Sequence, residues 1–491
     1  MGSHNMATMK SHRRSSSGAL SRRRFIQTTT LAAGAVAFGV PTLLRAANLN
    51  SKLNIAAIGV TGKGASDTDD CSGENIVALC DVDAERSATQ RGKYPGAKFY
   101  QDYRKLFDDM SGGIDAVIVC TPDHMHALIA SRAMKQGKHV YCQKPLVQTI
   151  YEARLLRDLA RSGGVVTQMG NQGSAADGLR RAVECIQAGI IGPVREVHIW
   201  SNRPIWPQGI GRPVGADDIP ATLDWDLWIG AASVRPYKKV VYHPFNWRGW
   251  QDFGTGALGD MACHTVNMPF RALTLGYPTE ISATVIGPMN EETYPLGSRI
   301  HFKFPAADKT LFHRHTMLTW YDGGRPDASA PHGHDFSNKP PAELLPDIAA
   351  LLGKVPNSGC LLVGEKGQIF SPDDYGEQFY VKRNDDAKFV HYKQYAGLES
   401  IPQTIPRNEF PGDNDHKHHL EWIAAIKENQ PQRCYSRFEI GAKLTEIMLL
   451  GCVALRVGKT IEWDGPNMTA KNCPEAAPFI KRENRAGWAL A

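Results

Sequence analysis

The sequence predicts an α/β protein of two domains, a doubly wound parallel-sheet domain followed by an α+β domain. Three observations predict it. Short apolar runs alternate with helical patterns from Lys52 to Gly173, and that rhythm stops after Gly173. The chain of 491 residues is also longer than one core usually supports. The expected division is 1–47 as a leader, 48–173 as the parallel-sheet domain and 174–491 as the second domain.

The leader comes first in order. Lys10, Arg13, Arg14, Arg22, Arg23, Arg24 and Arg45 face no acid within the first 45 residues. SRRRFI (Ser21 to Ile26) has a twin-arginine pattern, and the apolar run LAAGAVAFGV (Leu31 to Val40) follows. That run is too short to span a bilayer, so no stable membrane insertion is expected after processing. The reading is an export signal removed near Ala46 or Ala47, with a basic unstructured tail as the alternative. It predicts a periplasmic protein exported already folded. The formal charge of +6 sits largely in this segment, so the body is close to neutral and no nucleic-acid partner is implied. Of the ten cysteines, Cys80, Cys120 and Cys142 lie in apolar runs and no CxxC occurs. Free buried thiols are therefore expected rather than disulfides.

Five strands are read in the first domain: KLNIAAIG, NIVALCDVD, IDAVIVCTPD, HVYCQKP and VVTQMGNQG. HMHALIASRAMKQG and TIYEARLLRDLARSGG are helices, each ended by glycine. In the second domain LRRAVECIQAGIIG reads as a helix, and REVHIW, EISATVIG and SRIHFKF read as strands. EWIAAIKE and EIGAKLTEIMLLGCVALRVG are helices near the end.

The chemistry-bearing stretches follow the same order. IGVTGKG places Gly59, Thr61, Gly62, Lys63 and Gly64 directly after the first strand, where glycines let a backbone approach a pyrophosphate at a helix start. Against GxGxxG, Thr61 stands at the middle glycine and Gly62 one place later, and the helix after it can only be short. Asp81 ends the second strand 22 residues after Gly59, where a carboxylate holds ribose hydroxyls and repels a 2′-phosphate. Dinucleotide binding follows, with NAD favoured over NADP. TPDHMH (Thr121 to His126) sits at a strand end, and its His124 and His126 are either ligand-facing or solvated histidines of a capped helix start.

GTGALGDMACHTVN sets Asp260 and His264 four apart, on one helix face. Such an Asp can orient the imidazole and raise its pKa; a local hydrogen bond and a metal pair are the alternatives, and no third ligand accompanies them. Six of the ten tryptophans fall between Trp200 and Trp250, with Arg203, Trp206, His243, Asn246, Trp247, Arg248 and Asp252 among them. Ring faces beside polar forks suit a carbohydrate, although each ring alone reads as core. DNDHKHH (Asp413 to His419) reads as a solvated loop leading into a helix, with opportunistic metal binding as the rival. YCQKPL holds Lys144 at a strand end, fixed by the proline after it.

In order, GVTGKG, CDVD, VCTPDHMH, YCQKPL, GNQG and GTGALGDMACH resemble the Gfo/Idh/MocA oxidoreductases, from about Lys52 to about Asp464. The resemblance implies an N-terminal Rossmann domain that binds NAD. It implies a C-terminal α/β domain on a large, mostly antiparallel sheet that binds substrate and makes homo-oligomer contacts (a dimer or tetramer). It implies catalysis by Lys144, Asp260 and His264, where Lys144 holds the reacting hydroxyl and His264 is the acid or base. Cofactor contacts are expected from Gly59, Thr61, Gly62, Lys63, Gly64, Asp81, Thr121, Pro122, His126, Gln143 and Lys144. Substrate contacts are expected from Gln172, Arg203, Trp206, Trp247, Arg248, Asp260 and His264, and no metal is expected. Gln143 departs from the family's usual glutamate, which removes a carboxylate beside Lys144.

The expected activity is hydride transfer from a sugar, polyol or glycoside hydroxyl, with the cofactor retained because the periplasm has no free nicotinamide pool. An NAD-dependent glycosidase working by oxidation, elimination and hydration is one alternative. A redox-silent carbohydrate-binding protein is another.

Overall fold

The computed structural model describes residues 51–306 and 312–490, so the leader reading lies outside the described residues. The first sheet is built from β1 (Asn54–Ile58), β2 (Asn75–Cys80), β3 (Lys98–Tyr100), β4 (Ala116–Val119), β5 (His139–Cys142) and β6 (Thr167–Met169). All neighbours pair in parallel, in the order β3-β2-β1-β4-β5-β6. This order reverses direction between β1 and β4, and the crevice at their carboxyl ends is where such sheets bind dinucleotides. The sequence reading missed β3. Its three residues, KFY, carry no apolar run and sit on an edge, so no burial pattern announces them.

The helices of this half are α1 (Lys63–Asp70), α2 (Ala88–Lys93), α3 (Tyr103–Met110), α4 (Asp123–Lys135) and α5 (Ile150–Gly163). Thr149 and Glu152 close a capping box on α5, and left-handed Gly164 ends it. Along β1 the side chains alternate. Ala56 and Ile58 join one apolar cluster, and Ile55 and Ala57 join another.

The second half supplies α6 (Asp177–Gln187), β7 (Val194–Trp200), α7 (Trp225–Ile229), α8 (Gly256–Thr265) and α9 (Asn267–Ala272). Beyond them lie β8 (Glu280–Ile286), β9 (Gly297–Pro305), β10 (Phe312–Asp322), α10 (Pro346–Leu352), β11 (Gly359–Gly364), β12 (Gly367–Ser371), β13 (Tyr380–Arg383) and β14 (Val390–His391). The chain closes with α11 (Asn414–Lys427), α12 (Phe438–Val457), β15 (Ile461–Asp464), β16 (Thr469–Ala470) and α13 (Ala477–Ile480). Ten strands form the second sheet, β14-β13-β12-β11-β7-β10-β9-β8-β15-β16, in which only β7 and β10 pair in parallel. On β9, Ile300, Phe302 and Phe304 are buried while Arg299, His301 and Lys303 lie on the other face. Helix α12 packs on the apolar face; a Cβ at its Gly451 would meet Leu258 at 2.5 Å and Phe302 at 2.9 Å.

Helix α1, of eight residues, is too short to cover its side of the first sheet. Helix α11 does so instead, with Trp422, Ile423 and Ile426 packed in one cluster with Ile55, Ala57 and Ile118. The stretch DNDHKHH is therefore not a solvated loop. Asp413 caps α11 by accepting from the His416 N–H, and His418 and His419 are fully buried against the first domain. All ten cysteines are free. Among the described residues no helix is long and apolar enough to cross a membrane.

Candidate active site

The carboxyl ends of β1, β4 and β5 open into a cavity of about 550 Å³ that continues between the two halves of the chain. Its nucleotide end is the turn from β1 into α1. Gly59 has φ +80°, and a Cβ there would lie 2.6 Å from the Cys120 carbonyl oxygen. A Cβ on Gly64 would lie 1.8 Å from the Gly59 carbonyl oxygen, so this glycine packs the helix onto the turn rather than lining the cavity. Gly62, at φ +57° and ψ −121°, caps α1 with open space around it. The Thr61, Gly62 and Lys63 amides have no acceptor among the described residues.

Just past β2, Asp81 accepts from the Val60 and Asp83 amides, each at 3.0 Å. Burial pushes its carboxyl up to about 6 against those two hydrogen bonds. The Thr121 hydroxyl is buried without a partner on the same wall. These features fit NAD: free amides at a helix start for the pyrophosphate, a carboxylate for the ribose, and an orphaned hydroxyl beyond it.

Lys63 turns away from that cradle. Its ammonium bonds Asp67 at 2.6 Å and Asp415 of α11 at 2.7 Å, and these two acids raise its pKa against the lowering effect of burial. Asp67, Asp70 and His419 hold three potential ligand atoms within 4.8 Å of one another, but the Lys63 ammonium already serves as the cation at Asp67. Asp67 also accepts from Gln143 Nε2 at 2.7 Å, while Gln143 Oε1 accepts from the Lys144 amide at 3.2 Å. A glutamate at 143 would set two carboxylates against each other, and glutamine removes that repulsion.

At the centre, the Lys144 ammonium donates to Asp260 Oδ1 at 2.9 Å and to the Asp260 carbonyl at 2.8 Å. Arg248 Nε stands 3.4 Å from the same Oδ1, and Arg203 Nε stands 3.7 Å from Oδ2. Burial raises the Asp260 carboxyl, yet Lys144, Arg248 and Arg203 outweigh it and hold the group well below the usual carboxylate range. Asp260 and His264 share the face of α8 expected from their spacing, but no hydrogen bond joins them among the described residues. The expected rise in the imidazole pKa is reversed. Burial, and then the charge of Lys144, push His264 well down. Its neutral ring packs edge-on to Tyr375 at 5.0 Å, with Nδ1 buried and unpartnered.

The remaining predicted residues divide. Pro122, Gln172, Arg203, Trp206, Trp247 and Arg248 all line the cavity, and Gln172 Oε1 is buried without a partner. His126 lines it too, but each ring nitrogen faces a backbone carbonyl, Pro145 at 2.9 Å and Thr121 at 2.8 Å, so it braces two strand ends. His124 points into the aromatic cluster of Trp228 and Phe253. His243 on the wall is held by Asp83 at 3.0 Å. Asn246 bonds the Val240 carbonyl and Asp252 pairs with buried Arg235, both away from the cavity.

The tryptophan-rich segment is chiefly its own core: Trp225 stacks on Trp228 at 4.7 Å, and Trp250 is fully buried. One face of Trp247 is taken by the Arg248 guanidinium, 4.4 Å from its ring centre. Sequence reasoning missed Asp123, a buried carboxyl at the start of α4 that lines the cavity and accepts from the Thr255 hydroxyl at 2.8 Å. An acid at a helix start after a strand was the available signal. Tyr375 had none, since the loop between β12 and β13 carries it.

Residues 53–171 match the oxidoreductase family with the NAD-binding Rossmann fold, Gfo/Idh/MocA, and residues 206–276 match its C-terminal alpha/beta domain. Levoglucosan dehydrogenase of Pseudarthrobacter phenanthrenivorans is 27% identical over 191 residues, 39% of this chain and 40% of that protein. Inositol 2-dehydrogenase of Salmonella typhimurium is 32% identical over 129 residues, 26% of this chain and 38% of that protein. The matched stretches thus span about two-fifths of these relatives. Among solved structures, an inositol dehydrogenase homologue from Azotobacter vinelandii complexed with NADH and myo-inositol aligns with TM-score 0.56 at 15% identity, over 84% of this chain and 98% of that one. Levoglucosan dehydrogenase complexed with NADH and levoglucosan aligns with TM-score 0.54 at 17% identity, over 84% and 99%. At those identities the structural likeness shows the fold.

Proposed function

From a chain whose two halves both match Gfo/Idh/MocA oxidoreductase domains, we propose an enzyme that oxidises a hydroxyl of a sugar, polyol or glycoside by hydride transfer to NAD. The observation that carries this reading is the Lys144 ammonium, held on Asp260 in the cavity that the glycine turn also lines. NAD, when bound, would supply the hydride acceptor for the carbon that bears the hydroxyl. Lys144 then faces the hydroxyl oxygen and stabilises the charge that develops on it. Asp260 fixes the ammonium in place. His264, neutral and with Nδ1 unpartnered, accepts the hydroxyl proton.

Replacing Lys144 by Met tests the assignment. Turnover is expected to fall about 10²–10⁴-fold with NAD still bound, and unchanged turnover would sink the assignment. Export by the twin-arginine route and a cofactor retained through the cycle belong to the same proposal, supported by SRRRFI and the apolar run after it. Denaturing the mature protein and weighing the released nucleotide tests retention. About one NAD or NADH per chain supports it. Assembly into a homo-oligomer through the second sheet is also proposed, and sedimentation velocity tests it.

One observation favours a second net reaction, release of an aglycone through transient oxidation. That chemistry needs a further base for the proton beside the new carbonyl, and Asp123 stands in the cavity with its carboxyl pushed by burial up to about 7. Replacing Asp123 by Asn would then stop aglycone release while the bound NAD still took hydride from the glycoside.

A further inference from the structure

Two arginines reach Asp260 without being consumed by it. Arg203 and Arg248 each turn the Nε edge to the carboxylate, at 3.7 Å from Oδ2 and 3.4 Å from Oδ1, while Lys144 takes Oδ1 at 2.9 Å. Arg203 gives one terminal nitrogen to Asn202, and Arg248 gives one to the Phe245 carbonyl at 3.1 Å. The second terminal nitrogen of each has no acceptor among the described residues, and the buried Arg203 Nε has no hydrogen-bond partner.

Arg248 is held stiffly. Its guanidinium lies 4.4 Å from the Trp247 ring centre, 4.6 Å from that of Phe245 and 5.8 Å from that of Trp206. Around this point Lys144, Arg203 and Arg248 face one firmly ionised acid, Asp260. Asp123 and Asp374 also lie in electrostatic reach, each raised by burial, and His264 is neutral. Three cationic side chains therefore converge where a substrate would lie.

We infer that the preferred substrate is a sugar acid, whose carboxylate sits between the free nitrogens of Arg203 and Arg248 while one of its hydroxyls lies on Lys144. A planar guanidinium presents parallel donors that match a carboxylate, and two of them held by packing lose little freedom on binding it. A neutral sugar leaves those donors to water. All three cations meet one Asp260 side chain, so the carboxylate and the reacting hydroxyl fit on a single sugar unit. This inference rests on the proposed hydride transfer.

The test uses NAD-loaded protein and isothermal titration with D-glucuronate and D-gluconate, each against its uncharged amide. The acid of at least one pair is expected to bind about tenfold tighter or more. Added salt should weaken the acid alone, and the preference should collapse toward equality in both Arg203→Gln and Arg248→Gln. Near-ultraviolet circular dichroism of each variant checks that the aromatic packing survives; Arg248→Lys, which keeps the charge, should retain part of the preference. Amides binding as tightly as the acids, no binding of either acid, or a preference that survives both glutamine variants would overturn the inference. Reduction of bound NAD by neutral sugars alone would leave the hydride reading standing and remove the sugar acid. Reduction by no sugar, charged or neutral, would remove both.

Discussion

Asp81 shows how burial and function pull against each other on one side chain. Its carboxyl is pushed up to about 6, yet holding two ribose hydroxyls calls for the ionised form, which only accepts. NAD affinity should therefore strengthen as pH rises from about 5 to about 7 and level off above, because the unbound site gives up its proton across that window. Titration calorimetry over this range checks the slope, which Asp81→Asn should abolish along with much of the affinity. Asp81, Lys144, Asp260 and His264 were legible in the sequence because each sits at a strand end or on a helix face that spacing alone locates. The charge state of His264 was not. It depends on burial and on Lys144, 120 positions away, which no local pattern reports.

Helix α1 was legible as short, but what its shortness requires was not. An eight-residue helix leaves one side of the first sheet uncovered, and α11 supplies Trp422 there with no exposed surface. Trp422→Ala should cost about 3–5 kcal/mol in denaturant unfolding and weaken NAD binding as well. The pattern DNDHKHH hid this role, because its polar residues look solvated until the partner domain is placed against them. The glycine turn carries a sharper contrast. Gly64→Ala drives a methyl into the Gly59 carbonyl and should cost more than about 3 kcal/mol, whereas Gly62→Ala meets open space and pays only the backbone strain of its positive φ, about 1–3 kcal/mol. Thermal unfolding of the two variants should separate them clearly.

At the level of the whole molecule, the parallel sheet is not an independent unit. A fragment of residues 48–173 lacks α11 and α12 and exposes Ile55, Ala57 and Ile118, so it should lack near-ultraviolet circular dichroism and aggregate. The α/β class and strand rhythm were readable because buried parallel strands are continuously apolar. The ten-stranded order was not, because β7 pairs with β10 and β11, more than 100 residues away. The ten free thiols give a simple check on compactness. Nine are buried, and burial raises Cys120 too, so native protein should release at most about one equivalent to a thiol reagent before unfolding.

The clasp between Lys63 and Asp415 joins residues 352 positions apart. A ribosome will have emitted the whole glycine turn, the first sheet, most of the second and most helices before the residue that fastens the turn exists. The fastening of α1 beside the glycine turn is thus among the later contacts this chain can make.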